Sequence, residues 1–267
     1  MNRVIYIIFL ISFFLLTTSG LVCSQNKELP DSVKLNGKYI RGYFTNTWAM
    51  IKSPANWEEK DWRNFGMTGA ATFVLYIFDE DIVDWVSEIR SNESNTVSDI
   101  FEPFGNSSVL MPFSVLFGTY GIGVLTKDYR LKKSSLVALQ SFAISGFFTQ
   151  AIKFAVNRDR PFRGHRAFPS GHTSAVWSVA AVFAYEYKDK MWVAPVAYSL
   201  ATLTSLSRIN DLRHWPTDVV FGFALGYFTG RYISRIHDRN VEKNLNLSLS
   251  PFYGNEFKGL SLVYRFR

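Results

Sequence analysis

The stretch LVALQSFAISGFFTQAIKFAVNRDRPFRGHRAFPSGHTSAVWSVAAVFAY, residues 136–185, decides the fold of this chain. It holds two apolar runs, Leu136–Val156 and Ala175–Tyr185, parted by a short link crowded with arginine. Neither run alternates apolar with polar residues as a half-buried strand would, so both read as helices. Working outward, the same pattern recurs at Phe65–Phe78, Val109–Thr126, Trp192–Leu206 and Val219–Ile233, again between short polar or charged links. Six such segments predict an all-α protein, a six-helix bundle filling residues 65–238.

The composition agrees with a packed domain. Of 267 residues, 48% are hydrophobic and 16% aromatic, which suits one domain with short appendages and excludes a disordered chain. The lone cysteine, Cys23, excludes a disulfide framework and a cysteine-built zinc cluster. A net charge of +7 fits an anionic partner, and nucleic acid is not expected as that partner. No feature of the sequence bears on oligomeric state. Mean hydropathy is only +0.02. Only Leu136–Val156 and Val109–Thr126 approach the roughly 20 residues a spanning helix needs. The expectation is therefore an exported globular bundle, with an integral membrane protein as the alternative.

The two ends of the chain read differently from the middle. Met1-Asn2-Arg3, the uncharged run Val4–Leu16 and the small residues after it read as an export signal over residues 1–24. Val22, branched, argues against lipidation at Cys23. Residues 25–64 read as an N-terminal segment outside the bundle. At the other end Leu245, Leu247 and Leu249 alternate with polar residues, as do Leu260, Leu262, Tyr264 and Phe266. This predicts a β-hairpin within residues 239–267, turning at Gly254-Asn255. The acidic link Asp79–Glu102 reads as a solvated face, or as a short helix and loop over the bundle mouth.

Three clusters carry chemistry. Lys153 closes an apolar helix and is followed by Arg158, Arg160-Pro161, Arg163 and Arg166, with one acid, Asp159, among them. Alone, this is a solvated basic loop at a helix C-terminus. Pro169-Ser170-Gly171-His172 opens the next helix, where free N–H groups and a glycine favour an anion. Ser207-Arg208 is followed, after five residues, by His214-Trp215-Pro216-Thr217-Asp218. The four-residue spacing lets the Asp218 carboxylate reach one ring nitrogen of His214 and leave the other as nucleophile or base. Together, two histidines, one carboxylate, three cations and a helix N-terminus suit phosphoryl transfer, where charge spread over three oxygens must meet preorganised donors.

Lys-(six residues)-Arg-Pro, Pro-Ser-Gly-His and Ser-Arg-(five residues)-His-(three residues)-Asp, in this order, resemble the type 2 phosphatidic acid phosphatase and vanadium haloperoxidase superfamily. Every fixed position is present. The resemblance implies the six-helix bundle of that superfamily over roughly residues 65–233. It implies that His214 attacks phosphorus, that Asp218 orients it, and that His172 protonates the leaving group. Lys153, Arg160, Arg208, Ser170 and Gly171 would bind the phosphoryl oxygens, with no metal and no cofactor. The expected partner is a phosphorylated small molecule or a lipid phosphate, met in the periplasm or at an envelope membrane. A vanadium-dependent haloperoxidase, or an envelope protein with a relic site, are the other readings. Arg158, Arg163, His165 and Arg166 fall outside the fixed positions and would grip a second phosphate or headgroup, or lie in solvent. His237 reads as a helix end.

Overall fold

The computed structural model describes residues 34–101, 110–253 and 258–264. The export signal and the Gly254-Asn255 turn expected from the sequence lie outside these residues.

Nine α-helices are present among the described residues. They are α1 (Gly37–Lys52), α2 (Glu59–Ile77), α3 (Asp79–Ile89), α4 (Asn92–Phe101), α5 (Leu110–Leu125), α6 (Tyr129–Val156), α7 (Gly171–Glu186), α8 (Val193–Asn210) and α9 (Pro216–Asn246). Helices α2 and α5 to α9 match the six apolar segments, and α9 continues well past Ile233. The chain from Leu247 to Tyr253 pairs antiparallel with Lys258–Tyr264 in the register Leu247 to Tyr264. These strands therefore start where α9 ends, not at residue 239.

Local sequence explains the boundaries. The Asp128 side chain caps α6 by accepting from the Leu131 N–H at 2.9 Å. That helix closes at Asn157, whose left-handed backbone (φ 45°) ends it four residues before Pro161. Helix α1 was not expected. Asn36 caps it by accepting from the Tyr39 N–H at 3.0 Å, and Tyr39 bonds the Leu136 carbonyl at 2.8 Å. The acidic link divides into α3 and α4, so the mouth-covering alternative holds over the purely solvated one.

The long helices alternate in direction. Lys133, near the start of α6, meets Glu186 at the end of α7 and Asp238 late in α9. At the opposite end the Ser170 N–H, just before α7, bonds the Asp218 carbonyl in the first turn of α9 at 2.8 Å. Helices α7 and α9 thus start together, and they pack very closely. A Cβ on Gly222 would lie 2.8 Å from the Ser170 carbonyl oxygen. Cβ atoms on Gly226 and Gly230 would strike the Ser174 and Ser178 carbonyls. Three glycines at four-residue spacing form a groove into which α7 sinks. The core beneath contains Leu131, Val137, Ile144, Val182 and Ile233.

The outside of the bundle is apolar. Helix α2 buries no residue, and Phe65, Met67, Phe73, Val74 and Ile77 on it are all more than half exposed. Phe117, Phe147, Leu206 and Phe228 extend the exposed belt to other helices. Soluble monomers rarely carry such continuous apolar surface. Helix α6 is long and apolar enough to cross a bilayer. The low mean hydropathy, averaged over the acidic link and the polar ends, gave no sign of these exposed apolar residues.

Candidate active site

One end of the bundle gathers all three sequence clusters. Pro216 starts α9 and leaves His214 in the turn after α8. His214 is 1% exposed, and its Nδ1 faces Asp218 Oδ2 at 3.3 Å. The same carboxylate oxygen accepts from the Trp215 N–H at 2.9 Å, which fixes its aim. Burial, with Lys153, Arg160 and Arg208 close by, holds the His214 imidazole well below its ordinary pKa. The ring is therefore neutral at neutral pH. With Nδ1 turned to Asp218, its Nε2 has a lone pair to give.

The second histidine stands across from it. His172 lies one residue into α7, its ring centroid 6.2 Å from that of His214 at an interplanar angle of 64°. Ser170 caps the helix: its Oγ accepts from the Thr173 hydroxyl at 3.0 Å and the Thr173 N–H at 3.4 Å. Ser170 is fully buried, and Gly171 beside it packs over Lys153.

The cations close the ring. Lys153 Nζ donates to the Arg166 and Ala167 carbonyls at 2.5 and 3.1 Å. Arg208 is 3% exposed and pairs with Asp211 at 2.9 Å. Asp211 accepts in turn from Ser98 on α4 at 2.5 Å. Arg160 has its Nε buried without a hydrogen-bond partner, and so has His172 at Nδ1. Two unsatisfied buried nitrogens at one site suit an anion whose oxygens would satisfy them. Among the described residues no group of three His, Cys, Asp or Glu could hold a metal ion.

All eight residues named from the sequence come together. Two others join them in places the sequence did not give them. Arg158 donates to Asp218 Oδ1 at 3.2 Å and to Asp79 Oδ2 at 2.8 Å. It therefore faces the carboxylate of the His–Asp pair and is not a surface grip for a second phosphate. Asp79, from the acidic link, is 1% exposed. Arg163, His165 and Arg166 stay in solvent, with His165 paired to Asp159 and the arginines stacked on Phe162 and Phe154. His237 is not a helix end but a 2%-exposed residue inside α9, 2.7 Å from Gln140.

Comparison with known proteins follows the same outline. Residues 135–242 match the model of the PAP2 superfamily. Phosphatidylglycerophosphatase B of Bacillus subtilis is 30% identical over 162 residues, covering 55% of this chain and 77% of that protein. The chain belongs to the PAP2 superfamily. A lipid A 1-phosphatase of Porphyromonas gingivalis is 31% identical over 127 residues, 47% of this chain but only 28% of that longer protein. The fold resembles the crystal structure of a transmembrane PAP2 type phosphatidylglycerolphosphate phosphatase from Bacillus subtilis, with a TM-score of 0.53 and 25% identity. That match covers 68% of this chain and 94% of the other. LpxE of Aquifex aeolicus shares the fold at a TM-score of 0.50 and 20% identity, over 59% of this chain and 95% of the other. The eight residues named from the sequence lie inside the matched segment, and Asp79 lies outside it.

Proposed function

We propose that this protein is a membrane-held lipid phosphate phosphatase that works through a phosphohistidine at His214. The observation that carries the reading is the setting of His214: buried, neutral, turned by Asp218, and ringed by Lys153, Arg160 and Arg208. In the first step Nε2 of His214 attacks phosphorus in line. The bond from phosphorus to the ester oxygen breaks, and its electron pair leaves with that oxygen. His172 gives the leaving oxygen a proton. The new phospho-imidazolium is stabilised by Asp218. His172, now a base, then takes a proton from water, whose oxygen displaces His214 and releases phosphate. Arg160, Arg208 and Lys153 meet the charge on the three equatorial oxygens throughout, with the Ser170 hydroxyl and the Gly171 N–H beside them.

The lipid part of the reading rests on the exposed apolar belt and on relatives named as lipid phosphatases. None of those relatives is named as a haloperoxidase, and that alternative is not favoured. Lys127, Lys132, Lys188 and Lys190 flank the end of the bundle away from the site, while the acidic helices α3 and α4 flank the site end. Arg158, Arg163, Arg166 and Arg213 lie at the site end, so basic residues do not set the orientation, and the reading of a site on the outer, periplasmic side rests on the expected export signal.

The test is phosphate release in excess EDTA, from a detergent-dispersed lipid phosphate and from a soluble monoester, with His214→Ala alongside. Wild type is expected to turn over the lipid, and the variant to lose about 10³-fold or more, as when a nucleophile is removed. Equal release by both proteins removes His214 as nucleophile. Preference for the soluble ester removes the lipid assignment.

A further inference from the structure

The catalytic carboxylate is held by more than its own helix. Asp218 uses Oδ2 for the Trp215 N–H and for His214, and its other oxygen, Oδ1, accepts from Arg158 Nη1 at 3.2 Å. The same Nη1 donates to Thr217 Oγ1 at 2.7 Å, and Nη2 reaches Asp79 Oδ2 at 2.8 Å. Asp79 also accepts from the Thr217 N–H at 3.0 Å through Oδ1 and from the Thr217 hydroxyl through Oδ2. The guanidinium lies near the rings of Tyr76 and Trp215, at 4.9 and 5.0 Å from their centroids. Arg158 is thus a planar fork with a carboxylate on each tine, and its plane is fixed by aromatic neighbours.

We propose that Asp79 is a positioning residue for the phosphatase reaction, acting through Arg158 on the Asp218 carboxylate. The proposal rests on the reading of His214 as nucleophile. Two effects separate Asp79 from an ordinary structural acid. The first is geometric. With both oxygens of Asp218 bonded, its carboxylate cannot rotate, so Oδ2 stays on the line to His214. The second is electrostatic. Arg158 alone would neutralise Asp218 and deprive the phospho-imidazolium of its counter-charge. Asp79 takes up the arginine charge, so the three groups together present one net negative charge to His214. Asp79 stands at the first position of α3, so the helix covering the bundle mouth is tied to the reacting end of α9.

The experiment is a double-mutant cycle between Asp79→Asn and Asp218→Asn, read as kcat and KM on one lipid phosphate in detergent. In the wild-type background Asp79→Asn is expected to lower kcat about 10- to 100-fold, the usual cost of losing a partner that orients a functional group, with KM changed less than threefold. In the Asp218→Asn background, measured by single turnover, the same substitution is expected to change the rate less than twofold. A residue that acts only through its partner has nothing left to act on. Equal losses in both backgrounds, or a loss in KM alone, overturn the proposal. So does an unchanged kcat. If Asp79→Asn fails to fold, as judged by size exclusion and thermal unfolding, Arg158→Lys enters the same cycle. It keeps the charge but lacks the fork, so it must lower kcat only where Asp218 is intact. The two levels of reading fail separately. If His214→Ala turns over like wild type, the nucleophile assignment is wrong. If only the cycle is additive, Asp79 alone is misassigned.

Discussion

Lys133 and Lys153 sit on the same helix, and each is 8% exposed. At about 1.5 Å per residue they stand roughly 30 Å apart, at opposite ends of the bundle. Their surroundings are opposite as well. Lys133 pairs with Glu186 at 2.9 Å and Asp238 at 2.7 Å, and the Tyr185 hydroxyl adds a bond to Asp238 at 2.9 Å. Lys153 has two backbone carbonyls and, among the described residues, no ion pair. A buried charge normally requires an opposite charge to offset its desolvation. On the proposed function, the partner withheld at Lys153 is an anionic substrate. The far end meets its lysine with two carboxylates, and on the proposed function the site end keeps its cationic charge for the substrate.

Removing each ammonium breaks the comparison if it is wrong. Lys153→Met is expected to cut phosphate release by about 10²–10³-fold, the usual cost of one preorganised donor to a developing oxyanion. Its thermal midpoint should hold or rise, because an unoffset buried charge has gone. Lys133→Met should do the reverse. It strands Glu186 and Asp238, which costs about 3–5 kcal/mol when a buried pair loses one partner. Turnover per folded molecule should stay at the wild-type value. Detergent thermal unfolding and phosphate release on the same samples measure both. A Lys133→Met protein that is stable but inactive would move the reserved charge to the wrong end.

The contact between α7 and α9 joins the two ends and sharpens the contrast. Gly226→Ala puts a Cβ into the Ser174 carbonyl, so the helices must part. Overpacking of this kind costs about 1–3 kcal/mol. Here it should also separate His172 on α7 from Asp218 on α9. Stability and activity are both expected to fall, with the activity loss exceeding what the unfolded fraction accounts for. A variant that loses stability but keeps full turnover when folded would show that the site tolerates a wider crossing.

The legible and illegible parts of the molecule follow from the kind of signal each leaves. The gathering of the eight candidate residues at one end of the bundle was legible because the phosphoryl chemistry proposed here requires certain residue types at fixed helix ends. Proline, serine and glycine mark those ends locally. The six long helices were legible by their apolar runs. Asp79 was not legible, because an acid among acids carries no mark of which one turns inward. Arg158 lay among five basic residues for the same reason. Helix α1 did leave a signal, since Asn36 caps it and Tyr39, Tyr43, Thr47 and Met50 repeat at helical spacing. The signal is weak because only Tyr39 and Asn46 of that helix are buried. The glycine stripe was also written in the sequence at four-residue intervals, but its meaning depends on which helix fills it.

The smallest expected effect concerns the rim of the site. Arg163 and Arg166 rest on the exposed rings of Phe162 and Phe154, with centroid distances of 5.3 and 4.2 Å. Among the described residues their side chains stack on these rings and are exposed, so Arg163→Gln and Arg166→Gln should leave kcat on a soluble monoester unchanged. At an anionic bilayer each basic residue near the surface contributes about 1 kcal/mol of attraction, screened by salt. KM for a lipid phosphate in anionic vesicles is therefore expected to rise about fivefold per substitution at low salt and to converge on wild type at high salt. Arg160, three residues before Arg163, has its Nε buried inside the site, and its loss should not be rescued by salt or by neutral vesicles. If Arg163→Gln behaves like a loss of Arg160, lowering kcat on every substrate, the boundary between the charged rim and the charged site lies further out along this loop.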